Sequence, residues 1–388
     1  MNRLFSAIVI CMMSVPSIAQ ALEDDPINVV EGVPAVQNEA HRLASIRLIE
    51  GYLLPAYKAL AVQSNIQADE WQAVCPAPTK TQLAQLQQQY KKTANVWAQV
   101  EFVRFGPASF LLRHERVSHW PERRNAVGRA LNSLLAKPKV DALTPKQFSR
   151  ASVAVQGLPA LERLLFTQDD KWQSPSDEAA IAWRCSVGQA ITKNLATIST
   201  EIVEGWTGVD GPLEQAKARK MNGLYFTDAS DLGRRLLTDQ VTGFQIMGDI
   251  KLTVPLGVAL EEGGAPVVKS SKLEAWRSGQ SKANLLANLV AMKGMTYAWG
   301  TTSQWSKAQQ TDIESAFEKA FVSFNALPDN IKEALEDGTA QPSIEQALVD
   351  LRVLRTQVAE RSEEHTSELQ SRSDLVCRLL LEKKNNIE

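Results

Sequence analysis

Residues 191–206 read ITKNLATISTEIVEGW, and the spacing of their apolar members decides the fold class. Ile191, Leu195, Ile198, Ile202 and Trp206 recur at steps of four and three, which places them on one face of an α-helix. A half-buried strand would need apolar residues at alternate positions instead. The helical period returns in Leu83, Leu86, Tyr90 and Trp97, and again in Leu285, Leu289, Met292, Thr296 and Trp299. Ile313, Phe317, Phe321 and Phe324 make a further stripe, as do Leu348, Leu351, Arg355 and Val358. No long alternating run of β-branched residues competes with these, so the chain is expected to be all-α.

Prolines and glycines divide the helices. Pro76 and Pro78 precede the Leu83 helix, for which Thr79 or Thr81 supplies the cap. Gly106-Pro107 interrupts the chain just after Arg104, and Trp120-Pro121 is expected to open another helix. Pro138 and Pro145 bracket a linker, while Pro255-Leu256-Gly257 and Gly263-Gly264 mark an irregular stretch. The segment from Gly205 to Pro212 separates two halves, each long enough for about four helices. An amphipathic helix must bury its stripe against others, so two four-helix-bundle-like domains are expected, over 22–205 and 206–360.

The 388 residues are 44% hydrophobic and 22% charged, with a net charge of −2. High apolar content with so little net charge excludes a disordered chain. It also leaves no basic excess for binding nucleic acid.

Both ends read as foreign to the folded body. Met1 to Ala21 has the pattern of a secretory signal peptide: Arg3, an apolar run from Leu4 to Met13, then Ala19-Gln20-Ala21 as cleavage site. About ten apolar residues cannot span a hydrocarbon core of about 30 Å, so no transmembrane helix is expected. Cys11 follows Ile10 rather than a small residue, which disfavours lipidation. A soluble periplasmic protein is expected. At the other end, Arg361 to Ser371 reads RSEEHTSELQS, which resembles a translated sequencing adapter. Residues 361–388 are therefore expected to be non-native, with the natural C-terminus missing. Cys75 and Cys185 then remain, and export favours a disulfide between them over two separate buried thiols.

Generic catalytic motifs are scarce. Before the tail there are three histidines, His41, His114 and His119. His114 and His119 are one residue too far apart for a zinc-peptidase helix: five residues at about 100° each put the rings about 140° apart. A solvated face is expected for that basic stretch. Neither a Gly-x-Ser-x-Gly elbow, a phosphate-binding glycine loop nor a Cys-x-x-Cys pair occurs.

Four segments do combine unusual residues. They are Trp97 to Pro107 with Arg104, His119-Trp120-Pro121, the run Gln156 to Phe166 containing Gly157, Pro159 and Glu162, and Pro255-Leu-Gly257 followed by Glu274-Ala-Trp-Arg-Ser-Gly-Gln-Ser281 and a helix through Asn284, Leu285 and Asn288. In this order they resemble the imelysin-like family, peptidase family M75, which includes iron-regulated periplasmic proteins. The resemblance runs from about Asn38 to Glu360, and the family's Gly-Phe-Asn and Asp-Gly-Asp ending is lacking. It implies two helical bundles related by an internal duplication.

The family pattern Gly-x-His-x-x-Glu falls on Gly157, Pro159 and Glu162. Proline cannot ligate a metal, so a metallopeptidase mechanism loses its first ligand. The resemblance thus favours a non-catalytic protein of iron uptake that binds a ligand, metal complex or partner in a groove between the bundles. A peptidase and a periplasmic scaffold are the alternatives. The expected binding residues are Arg104, Trp120, Gly157, Glu162, Glu274, Arg277, Ser278 and Ser281, with no catalytic residue and no metal ligand named. Iron or another metal is the cofactor left open, and an iron-transport or outer-membrane protein the partner left open. Glu162 either meets a ligand or forms an ion pair with Arg163, Arg104 or Arg277, while Arg277, Ser278 and Ser281 are close enough in sequence to form a polar cluster facing it.

Overall fold

The computed structural model describes residues 35–166, 172, 177–220, 223–257, 267–299 and 306–360. The expected signal peptide, the adapter-like tail and Gly263-Gly264 lie outside them. Among the described residues there is no strand, as the helical periodicity requires.

The chain begins with α1 (Ala35–Leu48), which passes through a π-helical turn (Ile49–Leu53) into α2 (Leu54–Val74). Proline at position 55 has no N–H and would crowd the preceding turn of a regular helix. The wider turn meets this constraint: the N–H of Leu54 reaches back five residues to the carbonyl of Ile49. The same device recurs in the second half. There α10 (Ala229–Gln245) runs into a π-helical turn (Ile246–Thr253), Val254 N–H bonds Asp249 O, and Pro255 follows. Two halves thus share one local device, which is less than a demonstrated duplication of the whole bundle.

The other helices are α3 (Lys80–Ala98), α4 (Arg113–Val117), α5 (Ala126–Ala136), α6 (Pro145–Phe148), α7 (Leu158–Leu165), α8 (Glu178–Thr207) and α9 (Pro212–Ala218). After α10 come α11 (Val254–Leu256), α12 (Ser281–Ala298), α13 (Lys307–Asn325), α14 (Ile331–Glu336) and α15 (341–360). Thr79 closes a capping box with Gln82 at the start of α3, and Ser306 does so with Gln309 before α13.

In the first half α2 packs against α3 and α8, and α7 packs on α3 and α8. In the second, α12 packs on α10 and α13. The N-terminal part of the long first helix crosses over: α1 lies on α10 and α12. Buried apolar residues of both halves accordingly form one contiguous cluster, in which Trp71, Trp206, Tyr57, Phe244 and Phe317 are the large members. Every apolar stripe read from the sequence points into it, and the position 205/206 falls in the last turn of α8.

Cys75, at the end of α2, is disulfide-bonded to Cys185 of α8, with Cα atoms 5.7 Å apart. A second contact along the same antiparallel pair joins the hydroxyls of Ser64 and Ser199 at 3.1 Å. Gly188 lies one turn beyond the disulfide, where a Cβ would stand 2.0 Å from the Trp71 ring. A side chain there would force α8 off α2.

Two local expectations need correction. Trp120-Pro121 does not open a helix. Arg124 and Asn125 take left-handed backbone angles, and helix begins only at Ala126. The His114 stretch is not a solvated face either: His114 is 5% exposed and its ring lies 5.1 Å from that of Trp97. Helix α4 ends at Val117, so His114 and His119 do not even share it.

Candidate functional site

A cavity of about 260 Å³ opens where α3 and α7 of the first half face the segment 271–277 and α12 of the second. Tyr90, Trp97, Trp120 and Trp276 supply its aromatic walls; Glu122, Glu162, Arg163, Lys272, Glu274 and Arg277 supply its charge.

Glu162 sits at the floor, 4% exposed on α7. The start of that helix is fixed by Gly157 and by Pro159, which occupies one of its first two positions, where a missing N–H costs nothing. Glu162 Oε1 accepts two hydrogen bonds from Ser278, one from the backbone N–H and one from the hydroxyl, both 2.9 Å. Its Oε2 faces Arg277 Nη1 at 3.9 Å. Burial pushes the Glu162 carboxyl above its ordinary value, against the opposing pull of the Ser278 bonds and the guanidinium.

Beside it lies a second buried polar group. Lys251, on the π-helical turn before α11, is 2% exposed. Its ammonium donates to Glu274 Oε2 at 2.6 Å, to Asn288 Oδ1 at 2.9 Å and to Glu101 Oε1. Asn288 donates in turn to Glu101 Oε1 at 2.7 Å, and the ammonium lies 5.7 Å from the Trp120 ring centre. Two carboxylates raise the lysine pKa. Glu274 is raised as well, to about 7, because it is buried and lies beside the Glu101 carboxylate. His114 packs behind this group: its Nε2 bonds the Glu101 carbonyl, and burial lowers its pKa to about 4, so it is neutral near pH 7.

The eight residues expected from sequence therefore separate. Glu162, Arg277 and Ser278 meet directly, and Glu274 and Trp120 join them along the cavity wall. Ser281 turns away and donates to the Glu274 carbonyl at 2.6 Å, bracing the segment that carries Arg277. Arg104 is exposed; its backbone N–H and that of Phe105 bond Asp239 Oδ2 at 2.9 and 3.0 Å. Gly157 touches no ligand space. A Cβ at this position would lie 2.2 Å from the Val117 carbonyl oxygen and 2.5 Å from that of Arg116.

Gly157→Ala is thus expected to destabilise the fold by about 1–3 kcal/mol, since a backbone carbonyl cannot step aside as a side-chain tip can. Urea denaturation measures it; an unchanged midpoint would show that the contact relaxes freely. Sequence reasoning missed Lys251, and gave Glu101 and Asn288, which lie in two of the singled-out segments, no role in the site. The one signal for Lys251 was its place in the largely apolar run from Ile246 to Leu256.

A sequence model of the imelysin family, peptidase M75, matches residues 53–358. The chain belongs to this family. An imelysin-like protein from Psychrobacter arcticum 273-4 has a similar solved structure, with a TM-score of 0.67 and 21% identity over 83% of this chain and 93% of that one. An iron-regulated protein A precursor from Parabacteroides distasonis ATCC 8503 superposes with a TM-score of 0.63 and 14% identity, covering 84% and 97% of the two chains. At such identities the likeness concerns the fold. No functionally curated protein matches the chain.

The family name raises a metal-dependent peptidase, and the donor set here does not fit one. Pro159 offers no ligand atom, and Glu162 is engaged by Ser278 on one oxygen and faced by Arg277 on the other. Glu101 and Glu274 are held by the Lys251 ammonium, which stands where a cation would. Among the described residues, no three His, Cys, Asp or Glu side chains are grouped to hold a metal ion, and no helix is long and apolar enough to cross a membrane.

Proposed function

We propose that this imelysin-family protein is an exported, iron-related binding protein that takes its ligand in the Glu162–Arg277 cavity, without covalent chemistry. The observation that carries the reading is the floor of that cavity. A buried carboxylate is fixed by two Ser278 hydrogen bonds and set against a guanidinium, beneath aromatic walls. Polar groups converging between aromatic walls are a usual form of small-ligand site. The iron connection comes from the name of the Parabacteroides neighbour and from the family resemblance, and the periplasm from the signal-like N-terminus. Because the cavity's carboxylates are already answered by protein cations and hydroxyls, a complexed metal suits it better than a bare ion.

Thermal melts with ferric iron, ferrous iron and haem test the reading, since a ligand bound only by the folded state raises the melting point. Glu162→Ala is expected to weaken the stabilising ligand at least tenfold, about 1.4 kcal/mol. No shift with any of the three would sink it. Chelator-sensitive cleavage of a protein substrate would replace it with the peptidase reading.

A further inference from the structure

Arg277 has an arrangement that the ion pair with Glu162 does not explain. Its guanidinium lies flat against Trp276, 4.0 Å from the ring centre, and is about one-fifth exposed. At 3.9 Å the Glu162 contact is too long for a hydrogen bond. The guanidinium carries five N–H donors, and among the described residues none of them has an acceptor within bonding distance. Because Arg277 lines open space, these donors are available to a ligand rather than sealed inside the protein.

The surroundings supply one. Arg277 and Trp276 line both the Glu162 cavity and an adjoining basin of about 520 Å³. Arg163, Arg184 and Lys332 also line that basin, with Asn125, Asn132 and Asn330 as further polar groups and, among the described residues, Glu333 as a single carboxylate. All three of these cations already have partners. Arg163 bonds Glu122 at 2.5 Å, Arg184 lies 5.4 Å from the Trp172 ring centre, and Lys332 bonds Glu336 at 2.6 Å while lying 5.2 Å from the other partner of Arg277, the Trp276 ring. They supply field rather than free donors. Arg277 is depressed by burial and then by the nearby charge of Arg163, the crowding that a bound anion would relieve.

We infer that Arg277 is the docking group for an oxyanion, a carboxylate or phosphate of the ligand, received at the junction of the cavity and the basin. A planar fork held over an aromatic face is suited to bidentate recognition of such groups. The inference deepens the proposed function by giving the ligand a chemical class, and it rests on that reading for the cavity's being a binding site.

Calorimetric titration of the purified protein with succinate and with inorganic phosphate, at ionic strength fixed by chloride, tests it and tells the two sources apart. At least one is expected to bind and to raise the melting point. Arg277→Gln should weaken that binding at least tenfold, Arg277→Lys less, and Lys332→Gln only a few-fold. The distant Arg235→Gln should leave it unchanged. Absence of binding beyond the chloride control, or equal affinity in Arg277→Gln, overturns the inference. If iron or haem still binds and is still lost on Glu162→Ala, only the anion class falls; if those fail as well, the cavity falls with it.

Discussion

Replacing Cys75 and Cys185 together by alanine is expected to lower the stability of the folded chain by about 2–5 kcal/mol. The bridge spans a sequence separation of 110 and ties the end of α2 to the first third of α8. In the chain-entropy account a cross-link acts on the unfolded state, and a loop of that order is worth about 4.7 kcal/mol before any native strain or residual structure is subtracted. The packing around it adds a smaller loss. Cys185 is fully buried, so truncation removes contacts within the α2–α8 seam.

The two contributions are separable by urea denaturation. Loss of the cross-link lets the unfolded chain expand, so the slope of stability against denaturant should rise while the midpoint falls. A packing defect alone moves the midpoint at constant slope. Reduction of the native protein should reproduce the first effect without the second. Unchanged midpoint and slope in the double variant would refute the prediction.

The fold was legible because its signal is local and repeated. A stripe such as Ile313, Phe317 and Phe324 declares a helix and its buried face without knowledge of the partner. The π-helical turns were not legible, because a single five-residue hydrogen bond shifts the phase of a stripe too little to show. Only Pro55 and Pro255 hinted at them.

The candidate site divides in the same way. Glu162, Arg277 and Ser278 stood out as a polar set within motif-like segments. Lys251 did not, because a lysine at helical spacing ordinarily projects to solvent. Its burial is decided by Glu101, 150 residues away in sequence, and by Asn288 of α12. His114 was misplaced for the same reason: its environment is the Trp97 ring and the Glu101 carbonyl, neither of which its own basic segment announces. Residues whose state depends on a distant partner carry no periodic trace of it.

Lys251 is therefore the position at which substitution should cost most. Lys251→Met keeps much of the side-chain volume and removes the ammonium, leaving Glu101 and Glu274 facing each other in the interior. Removing one partner of a buried ion pair typically costs about 3–5 kcal/mol, since the remaining charge stays desolvated. Here two carboxylates remain, so proton uptake becomes the cheapest relief.

The pH dependence follows from Glu274, whose pKa is raised to about 7 in the folded protein against an ordinary 4.5. A carboxyl raised on folding favours the folded state most when protonated, so its contribution is full below about 4.5 and is lost as pH rises through about 7. Lys251 has the opposite effect at neutral pH: its ammonium, with a raised pKa, keeps both carboxylates tolerable there. Without it the dependence should steepen. Lys251→Met should be most destabilised at pH 8 and regain part of the loss at pH 5, where one carboxyl of the pair is neutral. Lys251→Met/Glu274→Gln should recover stability at pH 8 and flatten the profile, because only one buried carboxylate then lacks its counter-ion. Denaturation of the three proteins at both pH values measures this. Equal losses for Lys251→Met at pH 5 and pH 8, with no recovery in the double variant, would show that the ammonium does not hold this pair.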